Sequence, residues 1–414
     1  MLWWENEFLK VKAGRLVLGG ISTAELARRF GTPLFVYGSV RLRANYHRLA
    51  SAFAGGGRRR LRICYAMKAN AHPGILDILR NEGAWIDAVS PGEVRAALKA
   101  GYPPERILFT GTSVGSDDFA ALFGIDGLLV NIDAVEQIGL MTAVRNRIAP
   151  GRRIKVSVRW NPGLGRGFNP KVITAGARSG DGTAIKFGVE PDRVMEAFRR
   201  ARAAGFEPVG LHQHLGSGWV GRDYPAVLEA VDKMIAMAKE LEHAGFPLEF
   251  LDFGGGFGPR YEKKHALFPV ERYARTILRR LDAAGIQAPV LAVEPGKYLV
   301  ADAGALLLRV EYVKKSFGNT FACVNGGTFN TIPRPAIYAA ARHEILNAGR
   351  ILGTPRRKIT VAGHLCETGD VFGKDVLLPL PKPGEILAVL HAGAYARSMA
   401  SNFNQRPIPE EILV

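Results

Sequence analysis

The sequence predicts an α/β fold, a (β/α)8 barrel followed by a second, β-rich C-terminal domain, and three observations carry that reading. Eight apolar runs alternate with amphipathic helical stretches across about 230 residues, close to the ~250 typical of such barrels. The chemically unusual side chains sit at the C-terminal ends of those runs, the face on which a barrel builds its site. After Ala301 the rhythm changes to strand-like runs parted by Pro and Gly turns.

The first run, Arg62–Met67, leads through Lys68 into a helical stretch at Pro73–Asn81. Runs follow at Trp85–Ser90, Ile107–Gly111, Gly127–Asp133, Ile154–Asn161, Pro208–Leu215, Leu248–Phe253 and Pro289–Glu294. Helical patterns separate them at Val94–Ala100, Ala134–Arg147, Asp192–Ala204, Ala226–His243 and Val270–Ala283. Residues 162–185 are glycine-rich without periodicity, and a loop of that length is expected to be functional and to cover the barrel mouth. The later strand-like runs are Ala305–Val313, Thr320–Val324, Lys358–Ala362 and Glu385–Leu390. The expected domains are therefore residues 1–31, a segment packing with the C-terminal domain, residues 32–300, the barrel, and residues 301–414, the β-rich domain.

The chain has 414 residues, 47% hydrophobic and 22% charged, enough for two substantial cores. No apolar run reaches the ~20 residues of a membrane span, and MLWWENEFLK lacks a signal-peptide pattern, so no membrane association is expected. Three cysteines, Cys64, Cys323 and Cys366, argue against a disulfide framework and for a cytoplasmic protein. The net charge of +17 raises the question of nucleic acid. Its one dense basic run, Arg58-Arg59-Arg60-Leu61-Arg62, has no stacking aromatics beside it, so the reading is a basic surface for anionic small molecules.

Six motifs carry candidate chemistry. Lys68 ends an apolar run, where an amine drawn out of water can form an imine with an aldehyde cofactor, or can equally be a solvated strand end. Gly254, Gly255 and Gly256 follow the seventh run, where barrels often bind phosphate; a tight turn is the alternative. Glu294-Pro295-Gly296-Lys297 closes the eighth run, either as a barrel-end ion pair or as a carboxylate for a pyridine nitrogen, with Lys297 toward a phosphate. His212 and His214 share a strand face, as metal ligands can, but no neighbouring Cys or carboxylate completes a set in sequence. No metal is expected, and an imidazole stacked on a flat cofactor, with Ser217 at its phosphate, fits better. Cys366-Glu367 reads as a turn with a thiol proton donor, and Arg334 with Tyr338, one helical turn apart, suits a carboxylate or a structural ion pair.

Together these motifs resemble the fold-type III pyridoxal-phosphate decarboxylases, most of all the diaminopimelate decarboxylase family, essentially end to end. The likeness runs from Gly31–Tyr37 through Tyr65–Asn70, Asp87–Glu93, Lys186–Gly188, Gly210–Ser217, Asp252–Gly256, Glu294–Lys297, Arg334–Tyr338 and Cys366–Asp370 to Ala392–Val414. It implies an alanine-racemase-like barrel, pyridoxal 5'-phosphate as cofactor, and a homodimer with shared active sites. Lys68 would hold the cofactor, with Asp87 also binding it, His214 stacked on its ring and Glu294 at the ring nitrogen. Ser217, Gly254, Gly255, Gly256, Gly296, Lys297 and Tyr395 would surround the phosphate. Lys297, Arg334, Tyr338, Glu367 and Tyr395 would face an amino-acid substrate, and Cys366 would protonate it from the partner subunit. The implied reaction is conversion of meso-diaminopimelate to L-lysine and CO2. The family's usual Glu-Pro-Gly-Arg is Glu-Pro-Gly-Lys here, which keeps decarboxylation of another basic or N-substituted amino acid as the alternative. An amino-acid racemase would set an arginine at the ring nitrogen, and a non-catalytic homologue would lose Cys366 and Glu367; neither fits as well.

Overall fold

The computed structural model describes residues 2–55, 57 and 59–414, so Met1, Gly56 and Arg58 of the basic run lie outside the described residues. The chain divides into two compact units: residues 46–258 with 266–296, and residues 1–45 with 259–265 and 297–414.

The first unit is the barrel. Its strands are β1 (Arg60–Ala66), β2 (Trp85–Ala88), β3 (Ile107–Phe109), β4 (Leu129–Ile132), β5 (Lys155–Arg159), β6 (Glu207–His212), β7 (Phe250–Asp252) and β8 (Val290–Val293). Each pairs in parallel with the next, and β8 returns to β1 to close the ring. Every strand overlaps its apolar run, and the structure trims the ends because the last apolar residues are already loop. Helices Pro73–Asn81 and Val270–Ala283 match the periodicity at both ends. Pro73 occupies the first helical position, where its missing N–H is not needed, after a His72 cap.

Inward-facing residues form layers. Leu108, Leu129, Val209, Phe250 and Val290 make a buried apolar cluster toward the strand starts. Two residues further along β4 and β7, on the same face, stand Asn131 and Asp252, so the interior turns polar toward the strand ends.

The second unit carries a three-stranded antiparallel sheet, Leu9–Lys12, Arg15–Leu18 and Ile21–Ser22, and a larger one. The long strand Gly304–Ser316 anchors the larger sheet, pairing with Ile386–Leu390, Asn319–Val324 and Leu34–Tyr37. Residues 32–45, expected in the barrel, thus belong to this unit. Leu34–Tyr37 is buried on both faces and hydrogen-bonds between Gly304–Leu307 and Glu410–Leu413, a pairing no local pattern announces. Trp4, Phe8, Leu16, Leu26, Leu34, Leu307 and Leu390 share one core.

Candidate active site

Residues at or just beyond the C-terminal ends of the barrel strands converge on one polar site. Lys68 lies in a short 3-10 turn after β1, and its Nζ is 2.6 Å from Oδ2 of Asp87 at the end of β2. The Thr110 hydroxyl holds the other Asp87 oxygen. Lys68 keeps a third of its side chain exposed while Asp87 is buried, so the ion pair is open on the lysine side.

Glu294 lies just past β8, 4% exposed. Its Oε2 is 3.1 Å from His212 Nε2 and 3.9 Å from His214 Nδ1, whereas the buried Oε1 has no hydrogen-bond partner among the described residues. Burial pushes this carboxyl up, but the facing His212 imidazole, Lys68 and Arg159 outweigh it and hold Glu294 below the usual carboxylate range. Asp252 behaves oppositely: burial and then the Glu294 charge push it well up. His212, Asp252 and Glu294 bring donor atoms within 4.8 Å of one another, a carboxylate grouping the sequence spacing did not display. Burial, then Arg159 and Lys68, drives His214 well below its ordinary value, and its neutral Nδ1 accepts the Gly255 N–H at 3.2 Å.

The three glycines are needed mainly for close approach. A Cβ on Gly255 would overlap the Glu294 carbonyl, and one on Gly256 would overlap the Trp219 ring. The N–H groups of Gly254 and Gly255 already donate to Asp252 Oδ1 and His214 Nδ1; that of Gly256 has no acceptor among the described residues. Residues 162–185 run beside the end of β6: Arg166 donates to the Leu215 carbonyl, Phe168 to that of Ser217, and the Thr174 hydroxyl to that of His214.

Sequence reasoning missed four buried polar side chains here: Asn131, Ser157, Arg159 and Asp133. Arg159 ends β5 against the Phe187 ring, 3.8 Å from Asp133, with Nη2 unpartnered among the described residues. Asp133 in turn accepts Thr112 Oγ1 and the Gly188 N–H. The available signal was a polar residue interrupting a buried apolar strand, as in Leu-Val-Asn-Ile.

The other expected site residues lie in the second unit. Lys297 is buried with Nζ 4.3 Å from the Tyr395 ring centroid. Arg334 is 2% exposed, 3.2 Å from His343 Nε2 and over the Tyr261 ring. Its helix, Arg334–Ile337, stops before Tyr338, which is extended at φ −117°, ψ 107°, so the two do not stack along one helix face as the spacing suggested. Cys366 is a free, exposed thiol in a turn, beside exposed Glu367, its N–H bound to Asn404 Oδ1 at 2.9 Å. Asp370 instead points inward and caps Thr328 and Leu365.

A lysine amine at the barrel mouth, a neutral imidazole face and a buried carboxylate oxygen awaiting a donor fit a phosphorylated pyridine aldehyde. A family model for the pyridoxal binding domain of pyridoxal-dependent decarboxylases matches residues 40–301. Diaminopimelate decarboxylase of Methanothermobacter thermautotrophicus is 41% identical over 407 residues, covering 97% of this chain and 91% of the relative. The solved diaminopimelate decarboxylase from M. jannaschii in co-complex with L-lysine aligns with TM-score 0.89 and 30% identity, over 99% of this chain and 93% of that one. The Helicobacter pylori enzyme complexed with L-lysine gives 0.85 and 32%, over 94% and 93%. The chain belongs to the diaminopimelate decarboxylase family of pyridoxal-phosphate-dependent carboxy-lyases.

Proposed function

We propose that this enzyme converts meso-diaminopimelate to L-lysine and CO2, with its sites shared between the two chains of a homodimer. The observation that carries the decarboxylase reading is buried Glu294, with one oxygen held by His212 and the other without a partner among the described residues. A carboxylate there keeps a pyridine nitrogen protonated, and the bound cofactor then supplies a strong electron sink for the carbanion left by CO2.

Lys68 would hold the cofactor aldehyde, its amine kept at the mouth by Asp87. The His214 ring would cover one cofactor face, and its neutral state spares the protonated pyridine a second cation. Gly254, Gly255 and Gly256, with Ser217, Gly296 and Tyr395, would line the phosphate, the Gly256 N–H, without an acceptor among the described residues, included. Arg334 and Tyr338 would take the distal carboxylate, and Glu367 the distal ammonium. Cys366 Sγ would return a proton to the α-carbon; its exposure suits a group that serves a neighbouring chain.

Orientation of the scissile carboxylate and the fixed charge of Glu294 would supply most of the rate. One observation keeps a second substrate class open: Lys297 stands where the family has arginine and is stacked on Tyr395, so it brings one point charge rather than a fork.

The test is CO2 release by the cofactor-loaded protein from meso-diaminopimelate, lysine, ornithine and arginine. Preference for meso-diaminopimelate over lysine by orders of magnitude is expected, since a site built for a charged group rejects ligands that leave it unpaired. Equal turnover of lysine or ornithine overturns the substrate. Borohydride reduction should leave the pyridoxyl group on Lys68; recovery on Lys297 overturns the site.

A further inference from the structure

Three polar side chains inside the barrel lead from β5 to Glu294, one per strand, and two of them, Ser157 and Asn131, have so far been given no role. Ser157 Oγ on β5 is 2.7 Å from Asn131 Oδ1 on β4. Asn131 Nδ2 is 3.4 Å from His212 Nδ1 on β6, and His212 Nε2 is 3.1 Å from Glu294 Oε2. Ser157, Asn131 and His212 are each at most 1% exposed, so each hydrogen must go to a protein acceptor.

That requirement orients the chain. Glu294 Oε2 lies 3.1 Å from His212 Nε2, and a carboxylate oxygen there accepts, so His212 carries a proton on Nε2. The Asn131 amide then presents N–H to the His212 Nδ1 lone pair and its oxygen to the Ser157 hydroxyl. Reversing the amide would turn Asn131 Oδ1 toward Nδ1 and require a proton there: an imidazolium or the wrong tautomer, the latter setting two lone pairs against each other at 3.1 Å.

We propose that Asn131, backed by Ser157, is a positioning residue that fixes His212 as a neutral Nε2–H donor. Glu294 is thereby locked with Oε2 occupied and Oε1 left to accept from the cofactor nitrogen. The proposal rests on the cofactor reading for its consequence, and not for the hydrogen-bond chain itself. Glu294 and Asp252 have oxygens within 4.8 Å of the imidazole, and Lys68, Arg159, His214 and Asp87 are the other charged and titratable groups of the cluster. Among the described residues, Glu294 is the carboxylate hydrogen-bonded to the ring.

The decisive variant is Asn131→Asp, which keeps the shape and replaces the N–H facing Nδ1 by a second acceptor. In the cofactor-free protein, ¹⁵N imidazole NMR, assigned by comparison with His212→Gln, should show wild-type His212 neutral with its proton on Nε2. In Asn131→Asp, Nδ1 should be protonated. After loading, that variant should show a shifted cofactor absorption band and a kcat lower by about 10- to 100-fold at unchanged KM, the size usual for losing an outer partner of a reacting group. His212→Gln, which keeps an N–H near the Nε2 position, should retain the wild-type band, and His212→Leu should lose it; a purely structural role would make the two alike. A wild-type imidazolium overturns the proposal, and so does an Asn131→Asp protein with unchanged tautomer and band. If the wild-type protein takes up no pyridoxal phosphate at Lys68, the functional reading fails, while the NMR result still decides the hydrogen-bond chain.

Discussion

Two buried histidines in the β-rich unit make it sensitive to mild acid. His343 Nδ1 donates to the Leu390 carbonyl at 2.9 Å, while Nε2 faces Arg334 Nη1 at 3.2 Å and can only accept from it. A proton on Nε2 would point at a guanidinium. Burial, then Arg334, pushes His343 down to about 3; burial, with Arg41 and Arg334 against Asp302, pushes His391 down to about 4. Both folded-state values lie below the unfolded value of about 6.5, so their contribution is complete above that pH and is lost as pH falls toward 4 and then 3. At pH 5 the unfolded chain gains about 1.5 pH units of protonation free energy per histidine. At about 1.4 kcal/mol per unit this is about 2 kcal/mol each and about 4 kcal/mol for the pair. A domain stable by about 5–15 kcal/mol feels that loss.

The comparison is between proteins because buried carboxyls contribute with the other sign. Burial raises Glu93 and Glu344, so they favour the fold as pH falls. In the double variant His343→Gln with His391→Asn those groups remain and the imidazoles are gone. Asn tolerates the positive φ of 56° at position 391. The variant should be less stable at pH 7.5, having lost the His343 contacts, yet its urea-denaturation midpoint should fall less between pH 7.5 and 5. Parallel midpoint curves for the two proteins would refute the reasoning.

The remaining predictions concern the site. Gly255→Ala places a methyl against the Glu294 carbonyl, which cannot rotate away, and should cost about 1–3 kcal/mol of overpacking strain in thermal melts of the cofactor-free protein together with most of the cofactor affinity in an absorbance titration. Wild-type affinity in that variant would show that the loop moves freely. Mixing Lys68→Ala with Cys366→Ala protomers should restore about a quarter of wild-type activity, because half the dimers are hybrids with one intact site each. No recovery despite demonstrated subunit exchange would remove the shared-site proposal.

The barrel was legible because strand-length apolar runs and 3.6-period stretches are local signals, and the order of parallel neighbours follows the chain. The pairing of Leu34–Tyr37 with Gly304–Leu307 was not, since an all-apolar tetrapeptide fits a central strand in either unit and the partner lies far along the sequence. Lys68, Asp87, His214 and Glu294 were readable because each stands at or just beyond a strand end. Asn131 and Ser157 were not, because inside Leu-Val-Asn-Ile and Lys-Val-Ser-Val-Arg they look like small defects in a core. Tyr338 shows the opposite failure: a correct spacing is no guide once the helix stops at Ile337.

The two layers of the barrel interior explain why those defects are kept. A buried amide or hydroxyl without partners costs several times what a satisfied one contributes, so an isolated Asn131 or Ser157 would be a poor substitute for leucine. The floor residues Leu129, Phe250 and Val290 show that the same strands can be filled with apolar side chains. The polar layer begins two residues later, at Asn131 and Asp252, beside the buried Glu294. A charge there needs a donor, the donor's ring needs its other nitrogen occupied, and the amide doing so needs an acceptor's partner in turn. Each added polar group settles the one before it, and the series ends at Ser157, whose hydroxyl is small enough to sit wholly inside the strand layer. The demand for one buried anion at the mouth thus accounts for one polar side chain on each of three strands, His212, Asn131 and Ser157.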